Sequence, residues 1–510
     1  MDDNGNPAVS QQGRAIMGDD AAAAERADGL PLLAHVPALT PDRLGDPVFK
    51  SAHGLTYPYV AGAMANGITS VEMVEAVGKA GMIGFFGAAG LSIERVEAAI
   101  VEVQNRLVDA PYGFNLIHSP HDPALEAAVV DLYLKHGVHR VSASAYLRLT
   151  PHLVYYRLKG IHRNAQGAVV CPNQVVAKVS RIEVARQFFS PAPEKILKHL
   201  IADGKITEAE AELARKVPIA HDLTAEADSG GHTDNRPALA LLPTMQALKN
   251  EMYAKHGYDR PLCVGLGGGI ATPDAAAAAF AMGAAYVITG TVNQACIESG
   301  TCDAVRSMLA EARQADVIMA PAADMFEMGV KVQVLKRGTM FAVRAGKLYD
   351  LYKRFNRFEE IPEKERNQVE RDFLRCSFSE EWENTRRFFA RCDPRQVERA
   401  ETDPHHKMAL VFRSYLGRSS KWSVNGEADR QMDYQIWCGP AIGAFNQWVR
   451  GSFLEQTENR KTVTVAMNLL LGAAVATRIN WLRCQGVSLS PQAGRIVPLP
   501  LERIEAFLEK

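Results

Sequence analysis

The residues that could do chemistry cluster in short glycine-rich turns. The run Gly265-Leu266-Gly267-Gly268-Gly269-Ile270-Ala271-Thr272-Pro273 sets three successive glycines before a helix start. Thr272 suits an N-cap and Pro273 the first helical position. Glycines let the backbone approach a ligand closely and expose N–H groups, and a phosphate would sit on those amides, helped by the helix dipole. Thr289-Gly290-Thr291 is a second small-residue turn of the same kind. Each run would serve equally well as a tight strand-to-helix turn. The spacing is not a dinucleotide-binding fingerprint, because Ile270 stands where Gly or Ala is needed. No Walker sequence occurs.

Proton chemistry points to another loop. In Ala225-Glu226-Ala227-Asp228-Ser229-Gly230-Gly231-His232-Thr233-Asp234 the glycine pair, Gly230 and Gly231, presents His232. Histidine can donate or accept a proton near neutral pH; a loop histidine can also be a plain hydrogen-bonder. Lys178 lies inside the apolar run Val175–Val179. An unpaired ammonium is costly to bury, so Lys178 reaches either a ligand anion or an ion-pair partner. Asn115, in Gly113-Phe114-Asn115-Leu116, would bond a polar ring edge or close a turn. The small residues around Ala63 and Met64 would let a flat ring lie against the backbone, or would simply pack. Cys438 in Trp437-Cys438-Gly439-Pro440 reads as a buried thiol. His405 and His406 are adjacent, so they do not share a helix face as a metal pair would; no metal site is indicated.

These residues need a scaffold. From Tyr59, short apolar runs alternate with amphipathic stretches, the rhythm of a parallel sheet. The strands are expected at 59–63, 83–86, 112–116, 140–144, 175–179, 222–227, 262–265 and 285–289, each followed by a helix. Eight strand–helix units in about 260 residues predict a closed (β/α)8 TIM barrel rather than an open sheet, with ligands at the C-terminal strand ends. All the turns above fall there. The expected organisation is a flexible tail over 1–45, a barrel over 46–315 and a mainly helical region over 316–510. A helical insertion at about 190–217 would be a lid or a surface excursion.

Composition sets bounds. The chain has 510 residues, 47% of them hydrophobic, with 57 basic and 58 acidic side chains. A net charge of −1 argues against nucleic-acid and membrane-surface partners. Eight cysteines without a Cys-x-x-Cys suggest reduced thiols in the cytoplasm. The longest apolar run, Ala275 to Ile288, is short of the roughly 20 residues of a membrane span. The acidic N-terminus does not resemble a signal peptide.

Taken together, the strand ends resemble those of the nitronate monooxygenase and FMN-dependent enoyl-reductase superfamily. The carrying motifs are Asp228-Ser229-Gly230-Gly231-His232 and Gly268-Gly269-Ile270. The match is most similar to its PfaD-type branch, the trans-acting enoyl reductases of polyunsaturated fatty acid and polyketide synthases. It runs through Gly62–Ile68, Gly113–His118, Ala177–Arg181, Glu226–Asp234, Thr289–Cys296, Asp324–Val330 and Asp433–Pro440. Ser229 and Thr291 depart from the Ala and Ser usual in the superfamily.

The resemblance implies an FMN barrel that passes hydride from NADPH to the 2,3 double bond of an enoyl thioester on an acyl carrier protein. It implies phosphate contacts at Gly268, Gly269, Gly290 and Thr291, and a ring edge met by Asn115 and Lys178. Ala63 and Met64 would back the ring, Gly230, Gly231 and Gly267 would also bind the cofactor, and His232 would act on substrate. Nitronate oxidation and a non-catalytic docking subunit are the alternatives, and homodimerisation stays open. Docking to an acidic carrier would need a local basic patch, expected around Arg337, Lys347, Lys353, Arg354 and Arg357.

Overall fold

A computed structural model describes residues 32–119, 123–490 and 492–509. The expected tail lies outside the described residues as far as position 31. The chain is packed by Pro41, and Pro41 and Leu44 are both buried.

Eight parallel strands close into a barrel. They are β1 (Tyr59–Ala61), β2 (Ile83–Phe86), β3 (Gly113–Ile117), β4 (Arg140–Ser144), β5 (Gln174–Val179), β6 (Asp222–Glu226), β7 (Cys263–Gly267) and β8 (Val287–Thr289). Each pairs with its successor, and β8 closes on β1 through Tyr59↔Val287 and Ala61↔Thr289. The strands are short and apolar because helices cover the outer face while side chains fill the inner one. β1, β2 and β8 are buried at every position. Side-chain caps start the helices that follow: Ser70 accepts from the Met73 amide, Ser92 from Arg95, and Thr272 from Ala275.

The N-terminal end of the barrel is sealed. A helix over Pro47–His53 inserts Phe49, whose ring stacks on Tyr286 at 4.0 Å. Val60, Ile83, Phe85, Val176 and Ile288 fill the space above it. Beneath, the buried Asp222 carboxylate accepts from His53 Nε2 at 3.0 Å and from Arg260 at 2.6 and 2.8 Å. Burial pushes the Asp222 carboxyl up, but Arg260 and His53 outweigh it and hold the group well below the usual carboxylate range. Only the C-terminal strand ends are left to receive a ligand.

Helices Glu194–Ala202 and Glu208–Ala214 interrupt the rhythm between β5 and β6. They pack on the outer helix Pro151–Leu158, and none of their residues lines the central cavity. They form an outside wall, so the lid alternative falls away.

After β8 the chain turns mainly helical, with one departure from expectation. Val317–Pro321 and Lys331–Leu335 are antiparallel strands, and the loop segment Gly231–His232 adds to them through Val332↔His232. A barrel loop is thereby stitched to the C-terminal region. The helix Thr462–Cys484 is long and apolar enough to cross a membrane, yet it is 67% buried in its most apolar window. It packs on helix Pro273–Ala281, approaching so closely that a Cβ on Gly472 would lie 2.6 Å from Pro273. It serves this fold as a core helix.

Candidate active site

The C-terminal ends of the strands surround a cavity of about 270 Å3. All twelve residues singled out in the sequence line it: Ala63, Met64, Asn115, Lys178, Gly230 and Gly231, with His232, Gly267, Gly268, Gly269, Gly290 and Thr291.

The turn after β7 is built for close approach. Gly268 and Gly269 have φ of +88° and +79°, which side chains on L-residues resist. A Cβ on Gly268 would lie 2.7 Å from the carbonyl groups of Ala227 and Asp228. A Cβ on Gly269 would meet nothing within 4 Å, so this position opens onto the cavity. Among the described residues, no acceptor meets the Gly268 or Gly269 amide. Two unpartnered N–H groups beside the capped start of helix Pro273–Ala281 can hold an anion. Across the cavity, Gly290 leaves room for Met64, whose sulfur would stand 4.0 Å from a Cβ there. The Thr291 hydroxyl accepts from the Gly439 amide at 3.2 Å.

The opposite wall carries the polar edge. Asn115 spends both amide hydrogens, one on the Ser142 carbonyl at 3.0 Å and one on the Ser144 hydroxyl at 2.8 Å. What it can offer the cavity is its acceptor oxygen. Lys178 ion-pairs with Glu226 from the end of β6, and both line the cavity. The ion-pair reading of Lys178 therefore holds, and the pair still borders the ligand space.

The loop after β6 is pinned from outside the barrel. The Gln333 amide donates to Asp228 at 2.9 Å and to the Ser229 carbonyl at 2.8 Å. Gly230 crosses the backbone of 438–439 so closely that a Cβ would lie 2.8 Å from the Cys438 nitrogen. Asp234 accepts from Ser180 and Arg181 at 2.6 and 3.0 Å. The Arg181 guanidinium, with Ser180, holds its carboxyl down to about 2 despite partial burial. At the loop tip, His232 Nε2 meets the Asp324 carboxylate at 3.0 Å.

Sequence reasoning gave no role to Glu226, Asp324 or Trp437. All three sit in segments that carry the resemblance, but their positions depend on long-range pairing. Trp437 reaches the cavity because Leu335 donates to the Ile436 carbonyl and Cys438 donates to the Gln333 carbonyl. Cys438 is fully buried, and burial pushes its thiol far up, away from nucleophilic use.

The expected basic patch does not stand free. Arg337 pairs with Glu311, Lys347 with Glu365 and Arg357 with Glu360. Three of its five cations are thus met locally, because the neighbouring helices are rich in Glu. His405 stacks on Tyr352 at 4.0 Å and His406 bonds Gln396 at 2.9 Å, so each is held by its own neighbour.

Comparison with known proteins follows the same division. Residues 47–346 match the family model for nitronate monooxygenase. Residues 355–434 match the model for the inserted helical domain of [acyl-carrier-protein] S-malonyltransferase. A polyunsaturated fatty acid synthase subunit of Thraustochytrium sp. is 49% identical over 447 residues, covering 86% of this chain and 30% of its own. Polyketide biosynthesis protein PksE of Bacillus subtilis is 46% identical over 438 residues, covering 86% and 57%. The chain thus spans under two thirds of these relatives. The crystal structure of the enoyl reductase domain of MlnA, from the macrolactin cluster of Bacillus amyloliquefaciens, superposes with a TM-score of 0.82 at 39% identity. That match covers 87% of this chain and 99% of the domain.

Proposed function

The chain belongs to the nitronate monooxygenase family of oxidoreductases, and on that premise we propose that it is an FMN-dependent enoyl reductase. Its substrate would be a trans-2-enoyl thioester on an acyl carrier protein, and its hydride donor NADPH. Its setting would be the cytoplasm, in polyunsaturated fatty acid or polyketide synthesis. The observation that carries the reading is a cavity joining an anion-ready glycine turn to a polar ring edge and a loop histidine. It lies in a chain that superposes over most of its length on an enoyl reductase domain.

The residues fit FMN. The amides of Gly268 and Gly269, with Gly267, Gly290 and Thr291 around them, would hold the phosphate. Asn115 would accept from a ring N–H, and Ala63, Met64, Gly230 and Gly231 would flank the ring. Lys178, steadied by Glu226, would keep positive charge at the ring edge. When bound, FMN supplies hydride transfer between nicotinamide and the enoyl β-carbon. The protein must then deliver a proton to the α-carbon, and His232, which lines the cavity, would do so. The helical region matching a malonyltransferase insertion supports a partner role toward carrier domains.

The test is a flavin spectrum of the purified protein, then NADPH oxidation with a crotonyl thioester on a carrier protein. Flavin with enoyl turnover is expected. Oxygen uptake with propionate 3-nitronate and no enoyl turnover would select the second reading, nitronate oxidation, which the family match over 47–346 favours.

A further inference from the structure

We propose that Asp324, which lies outside the barrel, is the positioning residue that fixes the ring of His232. The proposal rests on the enoyl-reductase reading for the use of His232, but not for its geometry. The short strand Gly231–His232 lies against Lys331–Leu335, and Asp324 sits on the loop that leads into that same strand. One small sheet therefore sets both partners, and His232 Nε2 stands 3.0 Å from Asp324 Oδ1.

The loop itself is anchored. Phe326 is fully buried and packs edge-on against Tyr349. Ala322 donates to the Val330 carbonyl at 2.9 Å, and Gly329 to the Phe326 carbonyl at 3.0 Å. From helix Pro404–Asn425, Arg413 Nε donates to the Ala323 carbonyl at 2.8 Å, and its guanidinium also reaches Glu327 at 3.3 Å. The Met325 amide donates to Asp324 Oδ1 at 3.0 Å, steadying the carboxylate.

The chemistry follows from donor and acceptor rules. An ionised carboxylate only accepts hydrogen bonds. Burial pushes the Asp324 carboxyl up, but the hydrogen bond and charge of His232, with backbone N–H groups, hold it below the ordinary range. The proton between the two therefore belongs to His232 Nε2. That leaves Nδ1 as the nitrogen His232 can present to the cavity it lines, and Nδ1 gives a proton to substrate only from the imidazolium, whose Nε2–H the carboxylate still holds. The His232 side chain is 47% exposed, so water could otherwise serve either nitrogen. Exposed ion pairs stabilise a fold little, and the value of this one lies in choosing a tautomer and a ring orientation.

The experiment compares Asp324→Asn and Asp324→Glu with the wild-type holoprotein. Each is labelled with 15N-histidine, and the His232 signals are assigned by their loss in His232→Gln. The wild type should show Nε2 protonated. Asp324→Asn can donate to Nε2, so it should populate the Nδ1–H form. Asp324→Glu keeps an acceptor and should retain the wild-type signature.

With an enoyl thioester, Asp324→Asn should lose at least about tenfold in kcat, because a neutral amide neither fixes the ring through Nε2–H nor stabilises the imidazolium that must donate from Nδ1. Its flavin content and KM should stay nearly unchanged. An unchanged nitrogen signature or an unchanged kcat in Asp324→Asn overturns the proposal. If the wild type does not turn over enoyl thioester, the functional reading fails, and the nitrogen spectra still decide whether Asp324 sets the tautomer.

Discussion

Gly269→Asp is the sharpest probe of the cavity, because the structure separates its effect on the fold from its effect on a ligand. The new Cβ would meet no protein atom within 4 Å, so the side chain fits the fold. The left-handed backbone at φ +79° costs a non-glycine residue about 1–2 kcal/mol. Gly269→Asn bears the same strain and nearly the same volume without the charge, and is the control. What remains is charge. A carboxylate about 5 Å from a phosphate is opposed by about 3 kcal/mol per charge pair at an effective dielectric of about 20, and by about 1 kcal/mol in bulk water. A phosphate monoester carries roughly 1.5–2 negative charges, so the penalty runs from about 1.5 to about 6 kcal/mol. At 1.4 kcal/mol per decade, FMN should bind Gly269→Asp roughly tenfold to 10⁴-fold more weakly than Gly269→Asn. The assay is titration of each apoprotein with FMN by fluorescence quenching, at low and high salt. The gap should narrow with salt. Equal affinities for the Asp and Asn variants would refute an anion on these amides.

Three further outcomes are expected. His232→Ala should keep its flavin and lose about two to four orders of magnitude in enoyl-thioester kcat, the usual contribution of a positioned acid; full activity would remove His232 from the reaction. Gly230→Ala would drive a methyl to 2.8 Å from the Cys438 nitrogen. It should cost about 1–3 kcal/mol, read by chemical denaturation, and loosen flavin binding; a wild-type unfolding curve would contradict that crossing. Asp234 is held down to about 2 from an ordinary 3.8, so its stabilising contribution is complete above the ordinary value and is lost as pH falls toward 2. The stability gap between wild type and Asp234→Asn, followed in urea, should therefore be widest near neutrality and close below about pH 4. A gap that does not change with pH would contradict the pairing with Arg181.

How much of this was legible in the sequence depends on the range of the interaction. The barrel strands were legible because burial on both faces demands apolar runs such as Val175–Ala177, and their glycine and N-cap punctuation is local. The cavity lining followed, because in a parallel barrel every strand delivers its C-terminal residue to one face. Lys178 was legible as a residue in need of a partner, yet which carboxylate it meets depends on the register of β5 against β6, where Lys178 pairs with Thr224. The Lys331–Leu335 strand did leave a signal, the alternation Lys-Val-Gln-Val-Leu, but within a helix-rich region that pattern names no partner strand. Its partner is two residues of a barrel loop.

That small sheet changes what the C-terminal region is for. Trp437, Gly439 and Ala441 line the cavity, and the Gly439 amide binds the Thr291 hydroxyl beside the proposed phosphate turn. The loop bearing His232 has its backbone held by Gln333 and its ring met by Asp324, and neither residue belongs to the barrel. In an ordinary barrel the strand ends alone set the catalytic geometry. Here the barrel supplies the floor and the anion turn, while residues past 316 fix the loop that would carry the proton. Flavin binding and enoyl reduction should therefore part company through substitutions at Gln333 and Asp324, the residues that hold the histidine loop directly.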